Sequence, residues 1–316
     1  MATELKWTKA QAKDFWKEIS LLIIEPGTKA NLSKRPTGYK GKVLSKELGK
    51  ALLEWGVERI AEMQDKLYAF NEYGLLICLQ AMDAAGKDGA IKHIMSGLNP
   101  QGVKVTAFKQ PSSEELDHDF LWRHYKALPP RGEVGIFNRS HYENVLVSRV
   151  HPEYVLNENL PHINSEADIK ESFWNHRYKQ IRRFESIVHD SGTKIIKFFL
   201  HVSKEEQRQR LIARIDDKQK NWKFSLSDLN ERGLWKGYMH VYEEMLTATS
   251  SKEAPWYVIP ADDKWYSRIA IASVIYQHME QLHLKYPTVS EEQLKKLQEA
   301  RKQLVAEMAT PSKKAK

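Results

Sequence analysis

Short apolar runs alternate with longer amphipathic stretches in the central part of the chain. Parallel strands that are covered on both faces have this nearly continuous apolar character, and helical segments lie between most of the runs. The pattern therefore predicts an α/β fold, a three-layer αβα sandwich around a parallel five-stranded sheet. The predicted strands are LLICL (75–79), VKVTAF (103–108), EVGIFN (133–138), KIIKFFLHV (194–202) and WYVIPA (256–261).

The two ends of the chain differ from this central part. Residues 1–41 combine helix-like stretches with a basic loop, and apolar residues at helical spacing predict a long amphipathic helix from about 44 to 70. The residues at this spacing are Leu53, Val57, Ile60, Met63 and Leu67. We expect an N-terminal helical extension (1–70), a core (71–288), and a charged C-terminal helix with a disordered basic end (289–316).

The segment AMDAAGKDG follows the first predicted strand and is similar to a phosphate-binding loop. The P-loop pattern is GxxxxGK followed by Ser or Thr, but Ala81 stands at the first glycine position and Asp88 at the hydroxyl position. A strand, a tight turn and a helix N-terminus bring backbone N–H groups to one point, and Lys87 adds a mobile positive charge. The small residues that let the backbone approach a phosphate are Ala84, Ala85, Gly86 and Gly89.

Two aspartates in this loop, Asp83 and Asp88, would repel a bare phosphate. Their presence is explained if Mg²⁺ lies between them and the phosphate oxygens, because Mg²⁺ is usually held by one or two carboxylates together with substrate oxygens and water. The alternative is a tight turn whose aspartates cap the next helix, and Asp88 is well placed for that role. The loop alone leaves both interpretations open.

A second group of polar residues follows the third predicted strand, in IFNRSHYENVLVSR. P-loop enzymes often carry an acidic Walker B residue at the end of such a strand, and here that position is Asn138. Arg139 can bind phosphate oxygens through two parallel hydrogen bonds, and Glu143 could supply the missing carboxylate. The alternative is a set of surface ion pairs at the end of a strand.

A third group is cationic. Arg210, Arg214 and Lys218 recur every four residues, which places three positive charges on one helical face at a cost of about 0.2–0.5 kcal/mol per pair. A bound polyanion would offset that cost, and some kinases close an arginine-bearing helical lid over the phosphates to exclude water. The alternative is neutralisation by nearby acidic residues, which are Glu205, Glu206, Asp216 and Asp217.

Composition narrows the choice of function class. Lys and Arg total 49 against 41 Asp and Glu, so the net charge is +8, which favours anionic partners or simply gives a basic surface. No apolar stretch approaches the roughly 18 residues that span a bilayer. We also expect no secretory signal, because the first residues lack a continuous apolar region and a small-residue cleavage site. Cys78, the one cysteine, lies in an apolar run and is expected to be buried. We expect a cytoplasmic protein. Zinc and acyl-transfer motifs are absent from the sequence.

Three long segments together resemble the family 2 polyphosphate kinases. They are LLICLQAMDAAGKDGAIKHIMSGLNPQG, SSEELDHDFLWRHYKALPPRGEVGIFNRSHYENVLVSRVHPE and DDKQKNWKFSLSDLNERGLWKGYMHVYEEMLTATSSKEAPWYVIPADDKWYSR. The resemblance extends over roughly residues 30–285. It implies a P-loop kinase core that is similar to thymidylate kinase, with a helical lid at about 203–235.

The resemblance also implies roles for single residues. Asp83, Lys87 and the backbone around Gly86 match the Walker A segment, and Asn138 and Arg139 match the Walker B segment. The family's lid arginines match Arg210 and Arg214. Asn138 followed by Tyr142 and Glu143 resembles the class III subgroup, whose members are similar in phosphorylating both AMP and ADP.

We therefore expect a Mg²⁺-dependent phosphotransferase that moves the terminal phosphoryl group of inorganic polyphosphate to AMP and ADP, giving ADP and ATP, and that can run in reverse. Its expected catalytic residues are Asp83, Lys87, Asn138, Arg139 and Glu143. The expected metal ligands are Asp83 and Glu143. Phosphate binding is assigned to Ala84, Ala85, Gly86, Lys87, Asp88, Gly89, Arg139, Arg210 and Arg214. A homo-oligomer is expected from the resemblance alone, with no nucleic-acid or membrane partner.

Two other functions compete with this expectation. An ATP-dependent nucleoside or nucleoside-monophosphate kinase of the same fold would use ATP rather than polyphosphate as donor. A non-catalytic nucleic-acid or polyphosphate-binding protein is suggested by the net charge and by aromatic residues such as Trp222 and Trp265. Carboxylates at Asp83 and Asp88 argue against the second, because a pure anion-binding loop gains nothing from them.

Overall fold

The computed structural model describes residues 8–309, with side chains to residue 307. The basic end predicted to be disordered, from residue 310, lies outside the described residues. The strands are β1 (Ile23–Ile24), β2 (Gly74–Ala81), β3 (Val103–Ala107), β4 (Val134–Asn138), β5 (Thr193–His201) and β6 (Trp256–Pro260). The helices are α1 (Lys9–Ser20), α2 (Lys46–Phe70), α3 (Lys87–Met95), α4 (Ser113–Leu116), α5 (Trp122–Lys126), α6 (Glu143–Val150), α7 (Glu153–Leu156), α8 (Glu171–Asp190), α9 (Lys204–Asp216), α10 (Leu226–Gly233), α11 (Trp235–Thr249), α12 (Lys264–Glu280) and α13 (Glu291–Ala309).

Within residues 8–309 the strands form a six-stranded sheet in the order β1-β6-β5-β2-β4-β3. The five predicted runs are confirmed as its parallel strands, but the predicted strand count of five was wrong. The additional strand, β1, pairs antiparallel with β6 through Ile23 opposite Tyr257 and Ile24 opposite Trp256. Two residues are too few to show any periodicity, so the hydrophobic pattern could not reveal this strand.

The central strand β2 is buried on both faces. Leu75, Ile77 and Leu79 belong to the larger core cluster, which includes side chains of α12. Leu76 and Cys78 alternate with them and belong to a second cluster that includes side chains of α8. Successive side chains of a strand point to opposite faces, so the sheet is covered on both sides, as the continuous apolar runs predicted. The thiol of Cys78 is buried and free, as expected.

The long predicted helix is confirmed as α2. The side chain of Ser45 caps its first turn by accepting a hydrogen bond from the backbone N–H of Leu48. The helix packs along α12, and at Gly49 the two approach so closely that an added Cβ would lie 2.9 Å from Cδ1 of Ile269. A glycine therefore permits the close packing of α2 on α12.

A charged C-terminal helix is present as α13, and its described side chains are exposed along its length. None of the helices in residues 8–309 combines the length and apolar character needed to cross a membrane. The division of the chain into an extension, a core and a C-terminal helix with its tail stays a prediction.

The parallel strands place their carboxyl ends at one edge of the sheet. In parallel sheets of this kind, ligands bind in the crevice outside the carboxyl ends of the strands. The loop that joins β2 to α3 and the segment that joins β4 to α6 both leave the sheet at this edge. The two sequence motifs therefore lie side by side.

Candidate active site

The loop between β2 and α3 turns the chain sharply. Ala84 has φ 61° and Gly86 has φ 109°, both in the left-handed region, which is costly for alanine and free for glycine. Gly86 is also the N-cap of α3, and no side chain caps this helix. The capping alternative for Asp88 is therefore wrong, since its carboxylate is used elsewhere. The first N–H groups of α3 lack a side-chain partner, and an anion can take that place.

Lys87, the first residue of α3, folds back over the loop. Its Nζ donates a hydrogen bond to the backbone oxygen of Ala81 at 2.9 Å and lies 3.5 Å from that of Met82. Burial lowers the pKa of Lys87, whereas the neighbouring carboxylate of Asp83 raises it. The ammonium is therefore held next to the loop by weak backbone acceptors that phosphate oxygens could replace.

Polar pairs join the two motifs across the edge of the sheet. Nη2 of Arg139 lies 3.0 Å from Oδ1 of Asp83, and Nδ2 of Asn138 donates to Oδ1 of Asp88 at 2.9 Å. The partners are 56 and 50 residues apart in sequence. Four of the residues predicted for the site thus lie together, as their positions after adjacent strands implied.

Arg139 and Glu143 complete a group of interacting charges, which we call the charge cluster: Asp83, Lys87, Arg139 and Glu143. Burial lowers the pKa of Arg139, but the charges of Glu143 and Asp83 outweigh it and the net pKa is raised. Burial raises the pKa of Glu143, against the opposing influence of Arg139 and Lys87. The pKa values of Lys87, Arg139 and Glu143 are therefore each shifted by burial and by charged neighbours, which is typical of functional sites.

The predicted lid arginines lie beside the loop and are engaged with protein groups. Arg214 forms an ion pair with Asp228, with Nη1 3.4 Å from Oδ2. The Arg210 side chain is only 7% exposed. It connects α9 both to the loop between β2 and α3 and to the segment after β6. Its hydrogen-bond acceptors are Glu206 Oε1 and the backbone oxygens of Ala84, Ala85, Ala261 and Asp262. Direct phosphate binding by Arg210 and Arg214 stays a prediction.

Sequence reasoning missed two residues that connect the same helix to the loop. Nε2 of Gln207 donates to the backbone oxygen of Asp83 at 3.0 Å, and Nη1 of Arg232 donates to Oε1 of Gln207 at 2.9 Å. Gln207 lies three positions before Arg210 and therefore on the same face of α9. That spacing was a signal that could have identified Gln207.

Sequence reasoning also missed a group of buried polar side chains directly behind the charge cluster. His141 and Tyr142 lie in sequence between Arg139 and Glu143, yet both side chains are fully buried. They contact Glu185 of α8 and Lys197 of β5, which are also buried. A lysine within the apolar run KIIKFFLHV was the available signal, because lysine is almost never buried without a partner.

The donor set at the site fits Mg²⁺. Among residues 8–309, no group of three or more His, Cys, Asp or Glu side chains forms a metal site. Mg²⁺ needs fewer protein ligands, since one or two carboxylates with substrate phosphates and water are the usual set. Asp83, whose side chain is 34% exposed, and Glu143 supply oxygen donors of this type within one charge cluster.

Comparison with known proteins gives a consistent result. The family model described as polyphosphate kinase 2 matches residues 43–287. The chain is 50% identical over 279 residues to the ADP-polyphosphate phosphotransferase of Rhodopseudomonas palustris, which covers 88% of this chain and 96% of that protein. It is 45% identical over 229 residues to the AMP/ADP-polyphosphate phosphotransferase of Meiothermus ruber, with 72% and 80% covered. The crystal structure of polyphosphate kinase 2 from Arthrobacter aurescens TC1 superposes with a TM-score of 0.79 at 39% identity, over 91% of this chain and 95% of that one.

Proposed function

Because the chain belongs to the polyphosphate kinase 2 family, we propose that it transfers the terminal phosphoryl group of inorganic polyphosphate to ADP and AMP, reversibly. The observation that carries the proposal is the charge cluster at the carboxyl edge of the sheet, where Lys87 and Arg139 lie beside carboxylates and an uncapped helix N-terminus. The names of the two relatives, one an ADP and one an AMP/ADP phosphotransferase, support both acceptors.

Catalysis by such a site rests on alignment and on neutralising charge. Phosphoryl transfer needs little covalent chemistry from the protein, and a nucleotide's terminal phosphate oxygen is already a competent nucleophile. Lys87 would leave the backbone oxygen of Ala81 for an oxygen of the transferred group. Arg139, whose ion pair with Asp83 is partly exposed, would orient donor and acceptor phosphates.

Asp83 and Glu143 would hold Mg²⁺. The metal would neutralise negative charge on the phosphates when bound. Burial raises the pKa of Glu143, and Arg139 and Lys87 oppose that rise, because positive neighbours favour the charged form of a carboxyl group. Glu143 also matches an acidic position of the class III subgroup that Asn138, Tyr142 and Glu143 resemble, and we propose that this position favours the monophosphate, AMP, as acceptor.

We further propose a cytoplasmic homo-oligomer. The resemblance suggests the oligomer, and the free, buried thiol of Cys78 is compatible with a reducing compartment. Size-exclusion chromatography with light scattering measures the oligomer directly. A mass of one chain at micromolar concentration would contradict it.

The central experiment incubates the protein with Mg²⁺, polyphosphate and either AMP or ADP, and follows ADP and ATP by chromatography. We expect ATP from ADP, and ADP followed by ATP from AMP. Product formed only when ATP replaces polyphosphate as donor would favour a nucleoside-monophosphate kinase instead. Asp83→Ala should abolish product, and Lys92→Ala, an exposed lysine on α3, is the control that should keep full activity.

A further inference from the structure

A layer of buried polar side chains lies behind the charge cluster. We call it the buried network: His141, Tyr142, Glu185 and Lys197. Each of these residues is at most 1% exposed. The network joins the segment between β4 and α6 to α8 and β5, so it connects the active-site edge to the middle of the sheet.

The network is fully bonded around the lysine. Nζ of Lys197 lies 2.7 Å from Oε2 of Glu185, 2.7 Å from Oη of Tyr142 and 2.8 Å from the backbone oxygen of Thr249. An ammonium has three N–H donors, and these three acceptors use all of them. The Tyr142 hydroxyl in turn donates to Oε1 of Glu185 at 2.6 Å, and Nε2 of His141 lies 3.2 Å from the same oxygen.

Stability alone does not explain this arrangement. Removing two charges from water costs several kcal/mol per ion, and buried ion pairs can often be replaced by apolar side chains without loss. Burial would raise the pKa of Glu185, but Lys197 and His141 together outweigh it and the pKa is lowered. A charged pair sealed at Lys197, inside the apolar run IIKFFL of β5, therefore calls for a positional role.

The position of the network indicates that role. His141 and Tyr142 are anchored in it, whereas Arg139 and Glu143, on either side of them in sequence, belong to the charge cluster. Arg139 also has a left-handed backbone, φ 63°, which is strained for a residue with a side chain. Such a conformation persists only when its surroundings hold it in place.

We propose that Lys197, Glu185 and Tyr142 are positioning residues, which fix residues 139–143 and thereby aim Arg139 and Glu143 at the phosphoryl group. The inference rests on the proposed function, which identifies the target of Arg139 and Glu143 as a phosphoryl group. It concerns orientation, since none of the three is exposed enough to touch a substrate. A shift of about 1 Å in a catalytic group can cost roughly a hundredfold in rate, which makes such an anchor consequential.

The test is Tyr142→Phe, which keeps the ring that packs edge-on to Trp256 at 4.8 Å and removes only the hydroxyl. We expect kcat to fall about tenfold, while KM for polyphosphate and for ADP stays within about twofold, because alignment acts on the transition state rather than on binding. The matched control is Phe198→Leu, a buried change on the same strand as Lys197 that should lower stability and leave kcat unchanged.

A second variant tests the same role without leaving an unpaired charge in the core. Lys197→Met alone strands a buried carboxylate, so the double variant Lys197→Met/Glu185→Gln removes both charges and should fold. We expect its kcat to fall as in Tyr142→Phe, and the triple variant to be little worse than either, because residues that act as one unit are not additive.

Crystal structures of wild type and Tyr142→Phe give a readout that does not depend on activity. We expect the variant to lose the left-handed backbone at Arg139 or its 3.0 Å contact with Asp83. Unchanged geometry, or a kcat equal to that of Phe198→Leu, would overturn the positioning role. If wild type does not use polyphosphate, the proposed function fails, and the positioning of residues 139–143 is then decided by the two structures.

Discussion

Two ion pairs hold the segment 139–143, one formed by Arg139 itself and one contacted by His141 and Tyr142, and they differ in their access to water. The pair of Arg139 and Asp83 is 3.0 Å long, with side chains 44% and 34% exposed. The pair of Lys197 and Glu185 is 2.7 Å long, with side chains 0% and 2% exposed. A substrate can displace the partner in the first pair, whereas the second is sealed from any ligand. The open pair is thus suited to chemistry and the sealed pair to holding a shape.

The energetics of the two pairs should differ in the same sense. An exposed pair contributes about 0–1 kcal/mol, because water and salt screen it. Breaking a sealed pair by removing one partner costs about 3–5 kcal/mol, because an unpaired charge remains in the core. Changes at the open pair should therefore alter activity at nearly constant stability, and changes at the sealed pair should alter stability first.

The largest expected effect is a loss of stability at the sealed pair of Lys197 and Glu185. Lys197→Met should lower the free energy of unfolding by about 3–5 kcal/mol, measured by urea denaturation, because Glu185 then stays buried without its cation. Lys194→Met, on the same strand but only partly buried, is the control and should change it by less than about 1 kcal/mol. Equal effects of the two substitutions would remove the distinction between the pairs.

The next largest expected effect is a loss of catalytic rate at Lys87 in the charge cluster. Lys87→Ala should reduce kcat by about 10²–10³-fold, since one preorganised donor to the transferred phosphoryl is lost. Its thermal midpoint should stay near that of wild type, because the hydrogen bonds lost are to the backbone oxygens of Ala81 and Met82. A large fall in the midpoint would show that Lys87 is structural.

A sealed histidine elsewhere predicts a dependence of stability on pH. His278 lies 2.8 Å from the Tyr257 hydroxyl, and burial, with a smaller contribution from Lys194, lowers its pKa from 6.5 to about 4. The unfolded chain binds the proton more readily, so stability from this group is present above pH 6.5 and is lost as the pH falls towards 4, by about 3 kcal/mol.

Urea denaturation at pH 7 and pH 4.5 measures this loss. His278→Gln should remove most of the difference that His278 contributes, whereas His240→Gln, at a side chain that is 69% exposed, should leave the difference unchanged. An identical loss between the two pH values in wild type and His278→Gln would show that the histidine is not responsible.

The smallest effect on stability is expected at the open pair itself. Arg139→Ala should change the free energy of unfolding by less than about 1 kcal/mol, in keeping with a half-exposed ion pair. In contrast, kcat/KM should fall by at least about tenfold, because the guanidinium no longer aligns the phosphates. Loss of stability without loss of activity would reverse the roles given to the two pairs.

The fold was predictable from sequence to the extent that it rests on long apolar runs. The strands β2, β4, β5 and β6 were found because both of their faces are buried, and continuous apolar runs follow from that burial. β3 was found from its apolar run as well, although it lies at the edge of the sheet and is largely exposed. β1 was not, because two residues, Ile23 and Ile24, carry no period. Their strand exists only through its pairing with β6, which is a tertiary effect.

The candidate site was predictable where a residue follows a strand. Asp83, Lys87, Asn138 and Arg139 come together because parallel strands end at one edge. The hydrogen-bond partners of Arg210 could not be predicted in this way. Its four-residue spacing from Arg214 showed where the charges lie, but backbone carbonyls, the acceptors it uses, have no sequence signature.

The contacts of Arg210 bear on how this protein can be engineered. One guanidinium joins α9 to the backbone oxygens of Ala85 and Ala261, so α9 is bonded to the loop between β2 and α3 and to the segment after β6. A chimaera that takes the predicted lid from a relative with another acceptor preference should therefore be spliced after Asp216, where α9 ends. A splice at residue 203 would also replace α9, and with it the contacts of Arg210 with Ala85 and Ala261.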